Sequence, residues 1–592
     1  MNSETRICQN CKQQFTIESD DFSFYEKIQV PPPTFCFDCR AIRRMIFWNE
    51  HFLYRKKEAL EGKSIFSTYP EEADVKIYDH DYWWSDKWDP MQYGRDYDSS
   101  KPFFEQYHAL IKEIPWPSRS IRGLVNSDYC NQASYLKECY LCFNCENAEE
   151  CLYAVGFKGA RNSMDFYWSS DIELSYEVAF SGELYQCFWC VECDRSRNLW
   201  FSRNCDDCND CFGCANLKHK KYHIFNEPYT KEEYLKKIKE FNIGSYRALT
   251  EMQERVRVFW LQFPMKYMHG SHNTPGVVGD YIWNSKNVRY VFQGSNMDNV
   301  RYSQNLGFDI KDSYDYTNWG DGSELIYDCV SVGDKCRNVK FCFDCWPGCE
   351  DLEYCISCHS SSHLFGCFGL KKKQYCILNK QYSKEDYEKL RAKIIAHMSE
   401  TPYISATRKI EYRYGEFFPF EFSPLAYNET AAIDYYPLDK QGAAARSFLW
   451  RDPHQKEYKI TIPSDAIPDH INDVQATITK EIIGCKACKR AYRILPRELE
   501  FYKRFGLSLP RPCPDCRHVE RTKLRNPLAW YKRQCMCAGK TSNQQPITNN
   551  QYTNAVPHFH GDTPCPNEFE TSYAPERPEI VYCEQCYQAE VA

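Results

Sequence analysis

The sequence predicts a mixed, mainly β fold in which two cysteine-knuckle ribbon modules flank a duplicated, β-solenoid-like repeat region with short capping helices. Three observations predict it. A pair of C-x2-C knuckles near the start recurs near the end with identical internal spacing. A longer central segment occurs twice. Inside each central copy a short unit repeats, usually at a step of 12 to 14.

Cys8, Cys11, Cys36 and Cys39 match Cys485, Cys488, Cys513 and Cys516 at one constant offset, with no gap. The match includes residues that are not metal ligands: Ile17/Ile494, Phe24/Phe501, Tyr25/Tyr502, Arg40/Arg517, Arg44/Arg521 and Tyr54/Tyr531. A C-x2-C knuckle presents two sulfurs to one ion, and two knuckles make the closed tetrahedral thiolate set that zinc prefers. A first zinc ribbon is therefore expected over 1–60 and a second over 485–534. Within the second, ELEFYKRFG reads as a short helix ended by Gly506.

The other elements follow in chain order. Residues 61–125 form a linker with one helix over 102–113, where Phe103, Phe104, Tyr107, Leu110 and Ile111 share a face and Pro115 is the stop. Residues 126–242 and 279–397 are the two repeat copies, and CANLKHKKYHIFNEPYTKEEY aligns with CFGLKKKQYCILNKQYSKEDY. Each copy ends in a capped helix, with Thr230 before Glu233 and Ser383 before Asp386. The repeat units read as strands with period-2 alternation, as in Val288, Tyr290, Phe292 or Leu352, Tyr354, Ile356. Residues 243–278 are a connector with a helix near 248–262, and 398–484 are an irregular Tyr/Pro-rich segment.

Residues 535–592 are a Cys/His-rich tail in which Cys583 and Cys586 form a fifth knuckle. Its partners come from Cys535, Cys537, His558, His560 and Cys565, more ligands than one zinc needs. The favoured set is Cys537, Cys565, Cys583 and Cys586, with His560 as substitute. A relic of this site stands in the linker, where Asp79 and Tyr82 replace the knuckle cysteines and WWSDKW packing holds the fold. About three zinc ions per chain are expected.

The remaining 21 cysteines lie in the repeats, some in C-x2-C-x2-C runs such as Cys205, Cys208, Cys211 and Cys214. An iron–sulfur reading of such a run lacks the closing C-P. The second copy also places Ser361 and Leu364 where Cys208 and Cys211 stand. A cluster ligand cannot become Leu, whereas a packed thiol can. Packed core or turn thiols are favoured over extra zinc, and extra zinc over iron–sulfur.

CKAC, ELEFYKRFG and CPDCR over 485–517 resemble the zinc-ribbon, treble-clef-like domain of uncharacterised Cys-rich bacterial proteins. CQNC and CFDCR over 8–40 match it with Phe37 in place of the proline. The whole chain also resembles a recurrent Cys-rich family of small-genome bacteria; the specific motifs lie in these two segments, and the resemblance implies zinc binding.

Composition bounds the function. The net charge of −7 gives no whole-chain attraction to nucleic acid or anionic membrane. The start, MNSETRICQNC, has no basic region followed by an apolar one, so no export signal is expected, and no apolar stretch spans a bilayer. With 34 cysteines and no export, reduced thiols and a cytoplasmic location are expected. A local basic surface after the second ribbon, with Arg517, Arg521, Lys523, Arg525, Lys532 and Arg533 around Trp530 and Tyr531, is a nucleic-acid candidate. A solvated helix face is its plain alternative. No G-x-S-x-G, P-loop or H-E-x-x-H motif is present, so no catalytic residue is assigned. A zinc-binding, non-enzymatic scaffold with a nucleic-acid or protein partner is the leading expectation. A β-helix enzyme acting on a polysaccharide, and a metal-storage or redox protein using the repeat thiols, are the alternatives.

Overall fold

The structure is a computed structural model and describes residues 2–452, 458–539 and 552–591. The chain divides into two compact units, Met1–Ser120 with Met268–Arg451, and Ile121–Tyr267 with Asp452–Ala592. Each unit joins one cysteine module to the repeat copy from the other half of the chain. The first module belongs with the second repeat, and the last module with the first repeat.

Both repeats are parallel β-solenoids, each forming an eleven-stranded sheet among the described residues. In the first, neighbouring coils pair Leu152 with Met164 and Cys211 with His223, the same step at both places. In the second, Arg289 pairs with Arg301 and Glu350 with Ser362 at that same step. Between them, Met297 pairs with Ile310 and Glu324 with Arg337, where the coil is one residue longer. That extra residue in some coils accounts for the drifting period seen in the sequence.

The alternation within a coil is not period 2, and this corrects the expectation. Every third residue points into the core: Cys139, Cys142, Cys145, Ala148, Cys151 and Ala154 in successive triplets. Every third residue, one place earlier, sits in the left-handed region, so one coil turns at Leu141, Asn144, Asn147 and Glu150. Asn and Asp tolerate that conformation best, and they occupy many of these positions. Val288 and Val291 are buried one triplet apart, while Tyr290 between them has φ 58°. The outer registers are apolar as well, because other elements cover them. Phe341 and Tyr354, both at left-handed positions, stack at 4.7 Å and are met by Tyr414, Phe103 and Phe104. With residues outside the coil buried too, a three-residue rhythm reads as a two-residue one.

The core thiols have a common geometry. Cys193 Sγ lies 3.4 Å from the carbonyls of Val191 and Ser202, and its amide donates to Ser181 Oγ on the preceding coil at 3.0 Å. In the second copy the amides of Cys342 and Cys355 donate to Cys329 Sγ and Cys342 Sγ, each at 3.3 Å. A small side chain that both donates and accepts therefore ties adjacent coils together. Serine and cysteine are the residues that do this, which explains Ser361 at the position equivalent to Cys208.

The helices stand close to their expected places. Phe103–Glu113 buries Phe103, Phe104, Tyr107, Leu110 and Ile111, and the connector helix is Tyr246–Trp260. Lys231–Glu240 has the full capping box at Thr230 and covers the last coil through Tyr234 on Tyr222, with Phe241 stacked on Phe212 at 4.3 Å. Lys384–Glu400, capped by Ser383, covers the other solenoid through Tyr387 on Tyr375.

The two cysteine modules share one element order well beyond the knuckles. The first has hairpin Glu4–Ile7/Gln14–Ile17, helices Ser19–Lys27 and Phe37–Met45, hairpin Tyr54–Lys57/Ser64–Ser67, strand Ile77–Tyr78 and helix His80–Trp84. The second has hairpin Ile483–Gly484/Ala491–Tyr492, helices Pro496–Phe505 and Pro514–Thr522, hairpin Tyr531–Gln534/Glu568–Thr571, strand Val581–Tyr582 and helix Glu584–Val591.

The matched residues that are not metal ligands dock each module onto its solenoid. In the first unit Arg40 reaches Asp315 at 2.8 Å, and Arg44 reaches Asp315 at 3.2 Å and Asp328 at 2.8 Å. In the second, Arg517 and Arg521 both reach Asp165 at 2.9 Å, and Arg521 also reaches Glu177 at 3.1 Å. Asp315, Asp328, Asp165 and Glu177 are all left-handed positions on consecutive coils. The helix before repeats the pattern. Asp21 accepts from Tyr302 Oη at 2.8 Å, and its counterpart Glu498 accepts from Tyr153 Oη at 2.8 Å. Phe24 stacks on Tyr314 at 3.8 Å, and Tyr502 meets Tyr176 edge-on at 5.5 Å.

Candidate metal centres

Cys8, Cys11, Cys36 and Cys39 come together with every sulfur within 4.8 Å of the others, and Cys485, Cys488, Cys513 and Cys516 do the same. Local structure places them identically. The first knuckle occupies the turn of a hairpin, where Lys12 (φ 63°) and Lys489 (φ 64°) turn the chain just after the second sulfur. The second knuckle opens a helix: Cys36 and Cys513 are the N-cap residues of Phe37–Met45 and Pro514–Thr522. A helix N-terminus favours negative charge and therefore thiolate; against it, hydrogen bonding with the Cys39 and Cys8 thiols raises Cys36, and burial raises Cys513.

Backbone and side-chain donors complete each set. Cys36 N donates to Cys8 Sγ at 3.3 Å, and Cys513 N to Cys485 Sγ at 3.2 Å. Asn10 Nδ2 donates to Cys39 Sγ, and Arg490 Nε to Cys488 Sγ. Cys485 is brought down to about 6. Burial opposes its ionisation, but the amides of Cys513, Cys488 and Ala487, with the Cys488 thiol, outweigh it. Cys8 is likewise lowered, chiefly by hydrogen bonds from the Cys36 and Cys39 thiols. Each set thus has one cysteine, Cys8 or Cys485, poised as a thiolate beside the space its four sulfurs enclose.

The tail gathers more ligands than the favoured set named. Cys535, Cys565, Cys583 and Cys586 form one group, all buried. Cys537, His558, His560 and Cys586 form a second, and Cys586 belongs to both. Cys537 therefore groups with the histidines, and Cys535 joins the knuckle in its place. The register of the hairpin Tyr531–Gln534/Glu568–Thr571 is the cause: it sets Cys535 just past the end of one strand, and Cys583 N donates to its sulfur at 3.2 Å. Cys583 is brought down to about 4, first by the Cys535 thiol. The sequence offers both Cys535 and His558 as candidates but no means of sorting them, since all seven ligands crowd into one short stretch of chain.

In the first module the corresponding place holds no such group among the described residues. Glu58 stands where Cys535 does, and its carboxylate accepts the amides of Leu60, Glu61 and Lys63 at 2.6, 2.7 and 3.2 Å. Asp79 caps the helix His80–Trp84, and the fully buried Trp83 donates to Pro115 O at 3.0 Å. Carboxylate capping and indole packing do there what cysteines do in the tail.

The nucleic-acid candidates sort differently. Arg517 and Arg521 are buried in the docking ion pairs and are not available to a phosphate. Arg525 donates to Tyr167 Oη at 2.7 Å, and Arg533 to the carbonyls of Tyr573 and Ala574. Lys523 is exposed beside Glu520, and Lys532 is exposed on its strand. The basic run in the sequence is thus mainly a docking surface. The repeat thiols are buried, and among the described residues none enters a metal-ligating group.

No protein-family model matches the chain, and no curated protein does. Among solved structures, one described as "putative acetyltransferase from Desulfovibrio desulfuricans G20" is 7% identical, covering 50% of this chain and 87% of its own, with a TM-score of 0.10. A similarity that low carries no argument about fold or activity. No helix among the described residues is long and apolar enough to cross a membrane.

Proposed function

We propose that the protein is a zinc-stabilised, non-enzymatic scaffold: zinc ribbons of treble-clef type lock two β-solenoids, whose faces bind a macromolecular partner. The observation that carries this reading is the pairing of closed four-thiol sets with a buried arginine–carboxylate dock. Four protein sulfurs leave no position on the ion for water, so such a site folds a module rather than performing hydrolysis. The residues next to the sulfurs are committed to holding the solenoid. Solenoids present extended surfaces without built-in chemistry. Of the six cations named as nucleic-acid candidates, Lys523 and Lys532 stay exposed, which favours a protein partner over nucleic acid.

The test is elemental analysis of the full chain purified without oxygen, alongside a Cys513→Ser variant. Structural zinc contributes about 10–16 kcal/mol of apparent binding energy to small modules. The variant is expected to lose one zinc equivalent and become protease-sensitive around 485–530. A wild-type chain that is folded yet metal-free overturns the reading, as does a variant that keeps both its full zinc count and its protease resistance.

A further inference from the structure

We infer that the tail binds two metal ions, not one, in a binuclear centre bridged by the Cys586 sulfur; this rests on the zinc-scaffold reading above. The seven ligands divide cleanly. Cys535, Cys565, Cys583 and Cys586 offer an all-sulfur tetrahedron, and Cys537, Cys586, His558 and His560 offer a second with two sulfurs and two nitrogens. Every ligand atom of each group lies within 4.8 Å of the others in that group, and Cys586 is the shared member.

The histidines are set up as ligands by what holds their far nitrogens. His558 Nε2 lies 2.8 Å from Glu590 Oε1, with both side chains wholly buried, and its Nδ1 lies 3.1 Å from Cys537 Sγ. His560 Nδ1 lies 2.6 Å from the carbonyl oxygen of Thr563, and its Nε2 lies 3.3 Å from Cys586 Sγ. A carbonyl or carboxylate accepts and cannot donate, so the proton of each ring sits on the far nitrogen. The near nitrogen then presents a lone pair to the sulfurs. A carboxylate or carbonyl behind a histidine is the usual outer partner of a metal-bound imidazole. Glu590 is itself fixed by the amide of Ala555 at 3.0 and 2.9 Å. Asn554 Nδ2 donates to Cys537 Sγ at 3.2 Å, and Asn567 Nδ2 to Cys583 Sγ at 3.3 Å, so each metal position has its own amide donor to a thiolate.

Charge agrees with two ions. Five thiolates and two neutral imidazoles around two divalent cations carry a net charge of about −1, whereas a single all-sulfur zinc site carries about −2. A single ion in the all-sulfur position would leave two imidazole lone pairs aimed at Cys537 and Cys586 with no cation between them. The mixed sulfur–nitrogen set suits zinc, and the borderline softness of that ion suits both positions.

The experiment is a metal count on the full chain, wild type against a His558→Ala/His560→Ala double variant, with 113Cd NMR of the cadmium-substituted wild type. Four metals per chain are expected, falling to three in the variant. The cadmium spectrum should show three all-sulfur resonances and one mixed sulfur–nitrogen resonance, with scalar coupling between the mixed one and a single partner through Cys586. Three metals in both proteins, or three cadmium resonances with no coupling, overturns the binuclear centre and leaves the scaffold reading standing. A folded chain with no metal overturns both. If the double variant does not fold, the coupling in the wild type decides alone.

Discussion

At the scale of single residues, the solenoid cores explain why the repeats are rich in cysteine although none of those thiols enters a metal-ligating group among the described residues. A position in each triplet needs a side chain small enough for the core that can also accept an amide from the next coil. Cys342 does so for Cys355 N at 3.3 Å, while its own sulfur lies 3.1 Å from Lys340 O. Removing the acceptor leaves a buried N–H unpaired, at a cost of about 1–3 kcal/mol. Cys342→Val is therefore expected to lower stability by that amount in urea unfolding, although valine packs well. Cys342→Ser should cost clearly less, because the hydroxyl keeps both hydrogen bonds. Equal losses for the two variants would mean that packing alone selects the thiol. This rule is half-legible in the sequence: Ser361 opposite Cys208 argues for packed thiols over cluster ligands. The three-residue rhythm is not, because Tyr290, Phe341 and Tyr354 stand at turning positions where exposed polar residues are the usual expectation.

At the scale of elements, the constant offset between the two modules records two functions at once. The cysteines record four-sulfur groups that could hold a metal ion, and their spacing alone is enough to pair them. Arg40/Arg517 and Arg44/Arg521 record docking, which spacing cannot reveal, since their partners lie in solenoid coils from the opposite half of the chain. Read along the chain, a helix with that many cations looks like a nucleic-acid surface; folded, its charge is neutralised by carboxylates on the solenoid. Removing one member of a buried ion pair costs on the order of 3–5 kcal/mol, because the other charge stays buried. Arg44→Ala and Arg521→Ala should therefore each lower the melting temperature of their unit, with little dependence on salt, since buried pairs are weakly screened. Both should keep the wild-type metal count. Loss of metal in either variant would show that docking and metal binding are one event, not two.

At the scale of the whole molecule, each unit is assembled from both halves of the chain, and the duplication raises the question of why each module selects its own solenoid. The docks differ at matched positions: Asp20, which meets Arg301, corresponds to Arg497, which meets Glu138, and Arg43 corresponds to Glu520. Arg43 bridges Asp328 and Glu416 at 2.8 Å each in the first unit, while the residue at the same offset in the last module is Glu520, exposed beside Lys523. Set on the second solenoid in the same pose, the last module would place Glu520 against Asp328 and Glu416, three carboxylates in one buried place. A chain cut between Tyr267 and Met268, with both pieces produced together, is therefore expected to reassemble. Each unit needs one segment from each piece, and the strand Met265–Lys266 pairs with Val581–Tyr582 across the cut. The two pieces should co-purify through high salt, and Glu520→Arg should weaken that selectivity by letting the last module compete for the second solenoid. Pieces that separate as folded, independent species would show that neither module depends on the dock to the other half of the chain.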